Sequence, residues 1–172
     1  MKKTLVSLFG FVLLVVSLAV HARSEAIVSA ENQQQILDLI SAYSYTYDGK
    51  DMEGYLALYT EDCVWDVFPN AATKPSVTAA NRDELRALVT QRLAMLRQKG
   101  IQSRHYQTNT MLFSRADGRV EGTTMLHLVW QVPGEKPYTV MTGIYRDLFV
   151  KSEGGWRFAK RTLLMDQSEM GK

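Results

Sequence analysis

The stretch "GIYRDLFVKSEGGWRFAKRTLLMD", residues 143–166, decides the fold. It holds β-prone runs on either side of the turn signal "EGG", and such a pair reads as an antiparallel hairpin. Upstream the pattern repeats. β-prone runs near 104–114, 120–132, 138–151 and 156–165 are separated by "DG", "PGEKP" and "EGG". Four consecutive strands joined by short turns predict an antiparallel meander.

Ahead of the meander the period is helical. From Ser29, "ENQQQILDLISAYSYTYDGK" carries Ile36, Ile40, Tyr43 and Tyr47 at helical spacing, with Ser29 as N-cap and Gly49 as the stop. Asp51 caps a short second helix, "MEGYLALYTED", whose Tyr55, Leu58 and Tyr59 share a face, before the β-prone "CVWDVF" ends at Pro69. The following "NAATKPSVTAA" reads as a loop with at most a short edge strand. Asn81 and Glu84 form a capping-box-like pair ahead of "LRALVTQRLAMLRQ", and Gly100 ends that third helix. Three helices followed by long antiparallel strands predict an α+β layer fold in which a curved sheet wraps the helices and leaves a pocket.

The ends are read separately. "MKKTLVSLFGFVLLVVSLAVHA", residues 1–22, has a basic start, an apolar run and a small-residue ending, the pattern of a secretory leader. The expected mature chain, 23–172, is one exported domain, periplasmic or secreted, with no stable membrane association once the leader is removed. Residues 23–30 read as a tether and "DQSEMGK" as a polar tail. Losing Lys2 and Lys3 with the leader brings the 20 basic residues level with the 18 acidic ones, and no basic stripe remains to bind nucleic acid. The single cysteine, Cys63, excludes an internal disulfide, and the chain lacks the Cys/His spacing of a structural zinc site. Cys63 reads as a small buried hydrophobe without an activating basic neighbour.

With three histidines, one of them in the leader, proton chemistry at neutral pH has few candidates. His105 lies in "SRHYQTNT", where alternation puts Gln107 and Asn109 on its side of the strand. That polar series suits either a wet pocket or solvent. His127 sits in the apolar "MLHLVW", where a satisfied core histidine is the competing reading. Asp48, before Gly49, reads by itself as a turn former. Trp65, Trp130 and Trp156 read as core or pocket wall.

The order of elements and three phrases, "ILDLISAYSYTYDGKDMEGYLALYTEDCVWD", "RHYQTN" and "GIYRDLFVKSEGGWRFAKRTLLMD", resemble the SnoaL-like branch of the nuclear-transport-factor-2-like (NTF2-like) superfamily, with its cone-shaped α+β fold. That family includes scytalone dehydratase, a bile-acid dehydratase, hexachlorocyclohexane dehydrochlorinase and small subunits of ring-hydroxylating dioxygenases. The resemblance implies that Asp48 holds His105 and that His105 removes a proton from substrate. It also implies a role for Arg161, which matches the final-strand arginine of the dehydrochlorinase, but that enzyme's first-helix lysine has no counterpart here. Tyr43 stands in its place, as in the bile-acid dehydratase, and His127 falls near a second histidine of scytalone dehydratase.

The resemblance therefore implies a lyase of the dehydratase kind, or an isomerase, working without metal or cofactor on a small apolar hydroxylated or carbonyl compound. Tyr43 or His127 would donate a proton, and Arg161 or Asn109 would stabilise the developing enolate or alkoxide. Tyr47, Tyr59, Trp65, Asn109 and Trp130 are the expected substrate contacts. Arg161 also has a structural reading, an ion pair with Asp147 or Asp166 within the sheet. The alternative function is a ligand-binding or assembly module of the same fold. In either case the sheet face opposite the helices needs covering, which predicts a homodimer or homotrimer.

Overall fold

The computed structural model describes residues 27–70 and 72–166. The expected leader, the first residues of the tether and nearly all of the C-terminal tail lie outside them. Helix α1 (Ala30–Asp48) starts where the Ser29 hydroxyl accepts the Asn32 N–H, and it buries Ile36, Leu39, Ile40 and Tyr43 along one stripe. It ends at Gly49, which donates to the Tyr45 carbonyl. A Cβ at Gly49 would lie 2.7 Å from that oxygen, so the stop requires glycine.

Helix α2 (Met52–Leu56) is capped by Asp51, as expected, but is shorter than the sequence suggests. Strand β1 (Tyr59–Phe68) begins within the stretch read as helix. Sheet pairing overrides helical periodicity here: the Leu58 carbonyl accepts the Phe158 N–H, and Tyr59 pairs with Phe158. The described residues of the loop that follows contain the short edge strand β2 (Val77–Ala79). Helix α3 (Arg82–Gln98) carries the expected cap, with Asn81 accepting the Glu84 N–H, and it buries Leu85, Val89, Leu93 and Leu96.

The meander comprises β3 (Gln102–Ser114), β4 (Val120–Gln131), β5 (Tyr138–Ser152) and β6 (Gly155–Met165). The sheet order is β2-β1-β6-β5-β4-β3, with β1 parallel to β6 and every other neighbour antiparallel. Register shifts interrupt β1/β6, β3/β4, β4/β5 and β5/β6, and such bulges bend and twist strands. The result is a curved, unclosed sheet that wraps α1 and α3.

Packing at its centre is tight. A Cβ at Gly143 would lie 2.5 Å from the Leu164 carbonyl oxygen across the β5/β6 pair. Gly143→Ala should therefore destabilise the fold by about 1–3 kcal/mol, the usual cost of overpacking, and the urea midpoint measures it.

Candidate active site

Between the helices and the concave sheet face lies a cavity of about 330 Å³. Its wall draws Tyr43 and Tyr47 from α1, Arg92 from α3, Trp65 from β1, His105 from β3 and Trp130 from β4. Tyr55 of α2, the α3 residues Leu88, Val89 and Leu96, and mainly apolar side chains of the sheet complete it.

His105 is fixed from behind. Its Nδ1 lies 2.7 Å from Asp48 Oδ1, its backbone N–H donates to Asp48 Oδ2 at 2.7 Å, and the Ser103 hydroxyl donates to Oδ1 at 2.7 Å. An ionised carboxylate only accepts, so Nδ1 is the donor in this contact, and in the neutral ring Nε2 keeps its lone pair. Local structure explains the alignment. Asp48 is the last residue of α1, its carbonyl accepts Gln102 Nε2 at 3.1 Å, and strand alternation puts Ser103 and His105 on one face. Tyr43 and Tyr47 meet the imidazole edge-on, with ring centroids 5.6 and 5.0 Å away.

Burial alone would raise the Asp48 carboxyl, but the His105 hydrogen bond and charge, the Ser103 hydroxyl and the His105 amide outweigh it and hold it below the ordinary value of 3.8. A folded value below the unfolded one contributes stability above about 4, which is lost as pH falls through the folded value. Asp48→Asn should thus flatten the acid side of the stability profile in urea titrations at decreasing pH. Tyr43, Tyr47, Tyr55 and Tyr145 are all pushed upward, chiefly by burial, so their hydroxyls are protonated at neutral pH and serve as donors. Tyr43 and Tyr145 share a hydroxyl contact of 3.3 Å.

Arg161 lies beneath this wall rather than in it. Its guanidinium is fully buried against Asp147, with Nε 3.1 Å from Oδ1 and Nη2 3.3 Å from Oδ2. The rings of Tyr145, Tyr43 and Phe158 cover it, their centroids 3.7, 4.1 and 4.6 Å from Cζ. The expectation that Arg161 meets substrate fails, because the β5/β6 register sets it opposite Asp147 and the aromatic cover separates it from the cavity. Gln107 accepts from Arg161 and donates to the Ile40 carbonyl at 3.0 Å and Ser44 Oγ at 2.7 Å, tying the buried pair to α1.

Three other expected residues are elsewhere. His127 lies between inward-facing Leu126 and Leu128, so alternation turns it outward, where its Nε2 is 2.8 Å from Thr139 Oγ1. Asn109 occupies a bulge at φ 54°; Thr110 takes the inward position, 3.1 Å from Thr124 Oγ1, and Asn109 is exposed. Tyr59 is buried behind Tyr55, hydroxyl to hydroxyl at 3.0 Å, and does not line the cavity. The sequence reading gave no site role to Ser103, Tyr55, Tyr145 or Arg92. Ser103 was within reach of the alternation argument, being two residues from His105. Cys63 is buried, and burial pushes its thiol up to about 11. Among the described residues no group of three or more His, Cys, Asp or Glu side chains converges as metal ligands would.

A half-open sheet wrapped around helices, enclosing an aromatic cavity with a carboxylate-held histidine, defines an α+β pocket protein of NTF2-like build. The chain belongs to the SnoaL-like domain family, whose model matches residues 28–162. Among solved structures it is similar to ActVI-ORFA from Streptomyces coelicolor, at 21% identity and TM-score 0.71, covering 81% of this chain and 98% of that one. A protein provisionally described as scytalone dehydratase from Novosphingobium aromaticivorans gives 21% identity and TM-score 0.66, covering 83% and 89%. From the same organism, the β subunit of a provisionally assigned aromatic-ring-hydroxylating dioxygenase gives 19% identity and TM-score 0.67, covering 81% and 92%. A comparison with curated protein sequences returns no match.

Proposed function

We propose that the protein is an acid/base enzyme that removes a proton next to a carbonyl, acting as a dehydratase-like lyase or, where the substrate lacks a leaving group, as an isomerase. One observation carries this: a histidine on the wall of a largely apolar cavity has Nδ1 on a buried carboxylate, and Nε2 makes no hydrogen bond to the described residues. In the elimination, the substrate C–H proton passes to His105 Nε2 and its electron pair forms the new C=C bond. The C–O bond breaks, and the departing oxygen takes a proton from a tyrosine hydroxyl, which the imidazolium restores; water is the net loss. Asp48 stabilises the imidazolium throughout. Tyr43 is the donor this reading favours, because it touches both the cavity and the His105 ring. The resemblance to a protein described as scytalone dehydratase supports the elimination branch.

The test uses a hydroxytetralone, a β-hydroxy ketone fused to a benzene ring, in D2O. Deuterium entry at the carbon next to the carbonyl, together with formation of the aromatic product, should require His105 and Asp48. Equal turnover by Asp48→Asn and the unaltered chain would sink the proposal.

A second reading, a ligand-binding or assembly module, is supported by the resemblance to a dioxygenase β subunit. The same reading extends to assembly and location. Tyr106 and Met111 on β3, Met125 on β4 and Tyr138 on β5 are exposed hydrophobics, and they suit a homo-oligomer, for which light scattering on the eluting protein gives the mass. The leader implies export, and intact-mass measurement of secreted protein should return a chain beginning near Arg23.

A further inference from the structure

Arg92 is out of place as a purely structural arginine. On α3, Arg82 pairs with Glu61, Arg86 pairs with Glu53, and Arg97 donates to the Lys50 carbonyl at 3.0 Å. Arg92 has no ion-pair partner among the described residues. Its helical neighbours at three and four positions are Leu88, Val89, Met95 and Leu96, so the helix itself offers no carboxylate. It stands instead on the cavity wall, exposed at one side, with Cζ 5.1 Å from the centre of the Trp130 ring. Among the described lining residues it is the one fixed charge, and none is a carboxylate.

The remaining wall specifies the body of the ligand. Tyr47 lies against both the His105 ring, at 5.0 Å between centroids, and the Arg92 charge, which acts on its hydroxyl against the effect of burial. Trp65 and Trp130 offer further ring surface, and the buried Trp65 Nε1 has no acceptor among the described residues. The volume of about 330 Å³ lies at the small end of ligand pockets, which run from roughly 300 Å³ upward. Aromatic walls favour a planar ring system. A guanidinium that already stacks on an indole still has N–H donors in a fork that matches a carboxylate.

We infer that the cavity takes a planar aromatic compound carrying a carboxylate, with Arg92 reading the carboxylate at the mouth and His105 facing the carbon skeleton. This deepens the proposed acid/base reading and rests on it only in calling the bound compound a substrate. Arg92 thereby becomes a specificity residue: it selects anionic over neutral aromatics without taking part in proton transfer.

Calorimetric titration with naphthoate and with naphthamide, its neutral counterpart of nearly equal shape, tests the inference. The unaltered chain should bind naphthoate about tenfold or more tightly than naphthamide, as loss of a charged hydrogen-bonded pair implies. Arg92→Gln should abolish that preference, Arg92→Lys should retain part of it, and His105→Gln should leave it in place. Equal affinities on the unaltered chain overturn the inference, as does failure of naphthoate to bind. A preference that survives Arg92→Gln, or that disappears in His105→Gln, overturns it as well. If the preference behaves as expected while no elimination or exchange is found, the acid/base reading fails and the carboxylate site stands.

Discussion

His105→Gln should lower the rate of proton abstraction by about 10²–10⁴-fold, the usual contribution of a positioned general base. Glutamine keeps polar contact with the Asp48 side of the pocket but offers no basic nitrogen to the cavity. The loss should fall on kcat, with KM little changed, because the imidazole contributes in the transition state more than in ground-state binding. Steady-state kinetics on whichever hydroxy ketone the unaltered chain converts measures the split. An unchanged kcat with a raised KM would assign His105 to substrate binding and contradict its role as the base.

The largest stability effect should come from the buried pair behind the site. Asp147→Ala leaves the Arg161 guanidinium buried among three aromatic rings without its counter-charge, and removing one partner of a buried pair costs about 3–5 kcal/mol. Against a total stability of about 5–15 kcal/mol, this brings the fold close to its limit. Arg161 Nη1 has no acceptor among the described residues, and the Nε contact with Oδ1 is a charge contact without hydrogen-bond alignment. The pair is therefore not optimised for stability. The double variant Asp147→Leu with Arg161→Met should recover most of the loss, and urea denaturation of the two singles and the double gives the coupling.

Asp147 also bends the pH profile in the direction opposite to Asp48. Burial pushes its carboxyl up to about 6, with the Arg161 charge opposing. Between 3.8 and about 6 the unfolded chain releases a proton that the folded chain keeps, so this group's contribution falls as pH rises across that window.

Much of the architecture was legible because its signals are local. Ser29, Asp51 and Asn81 cap helices by their own side chains, and the turn sequences separate the four meander strands. The second helix was read too long because its end depends on β6, about a hundred residues away, capturing the backbone at Leu58. Of the site, the strand face bearing His105 could be read from alternation as far as Gln107. Beyond it, alternation failed because Asn109 adopts a left-handed conformation and shifts the phase by one residue. The same alternation, applied to "MLHLVW", points His127 away from the leucines that line the cavity. The enclosure of Arg161 was not legible, since it requires the β5/β6 register together with the Tyr43 ring from α1. Arg92 had a signal that went unused, a charged residue standing within the apolar stripe of α3.

Proton abstraction at this site depends on the state of one ring. Nitrogen-15 NMR of histidine-labelled protein, at a pH where His105 is neutral, reports which ring nitrogen carries the proton. Held by Asp48, His105 should be the Nδ1–H tautomer, and Asp48→Ala, with folding checked by circular dichroism, should shift it toward Nε2–H. An Nε2–H tautomer in the unaltered chain, or a tautomer ratio indifferent to the loss of Asp48, would contradict the proposal that a carboxylate presents Nε2 as the base.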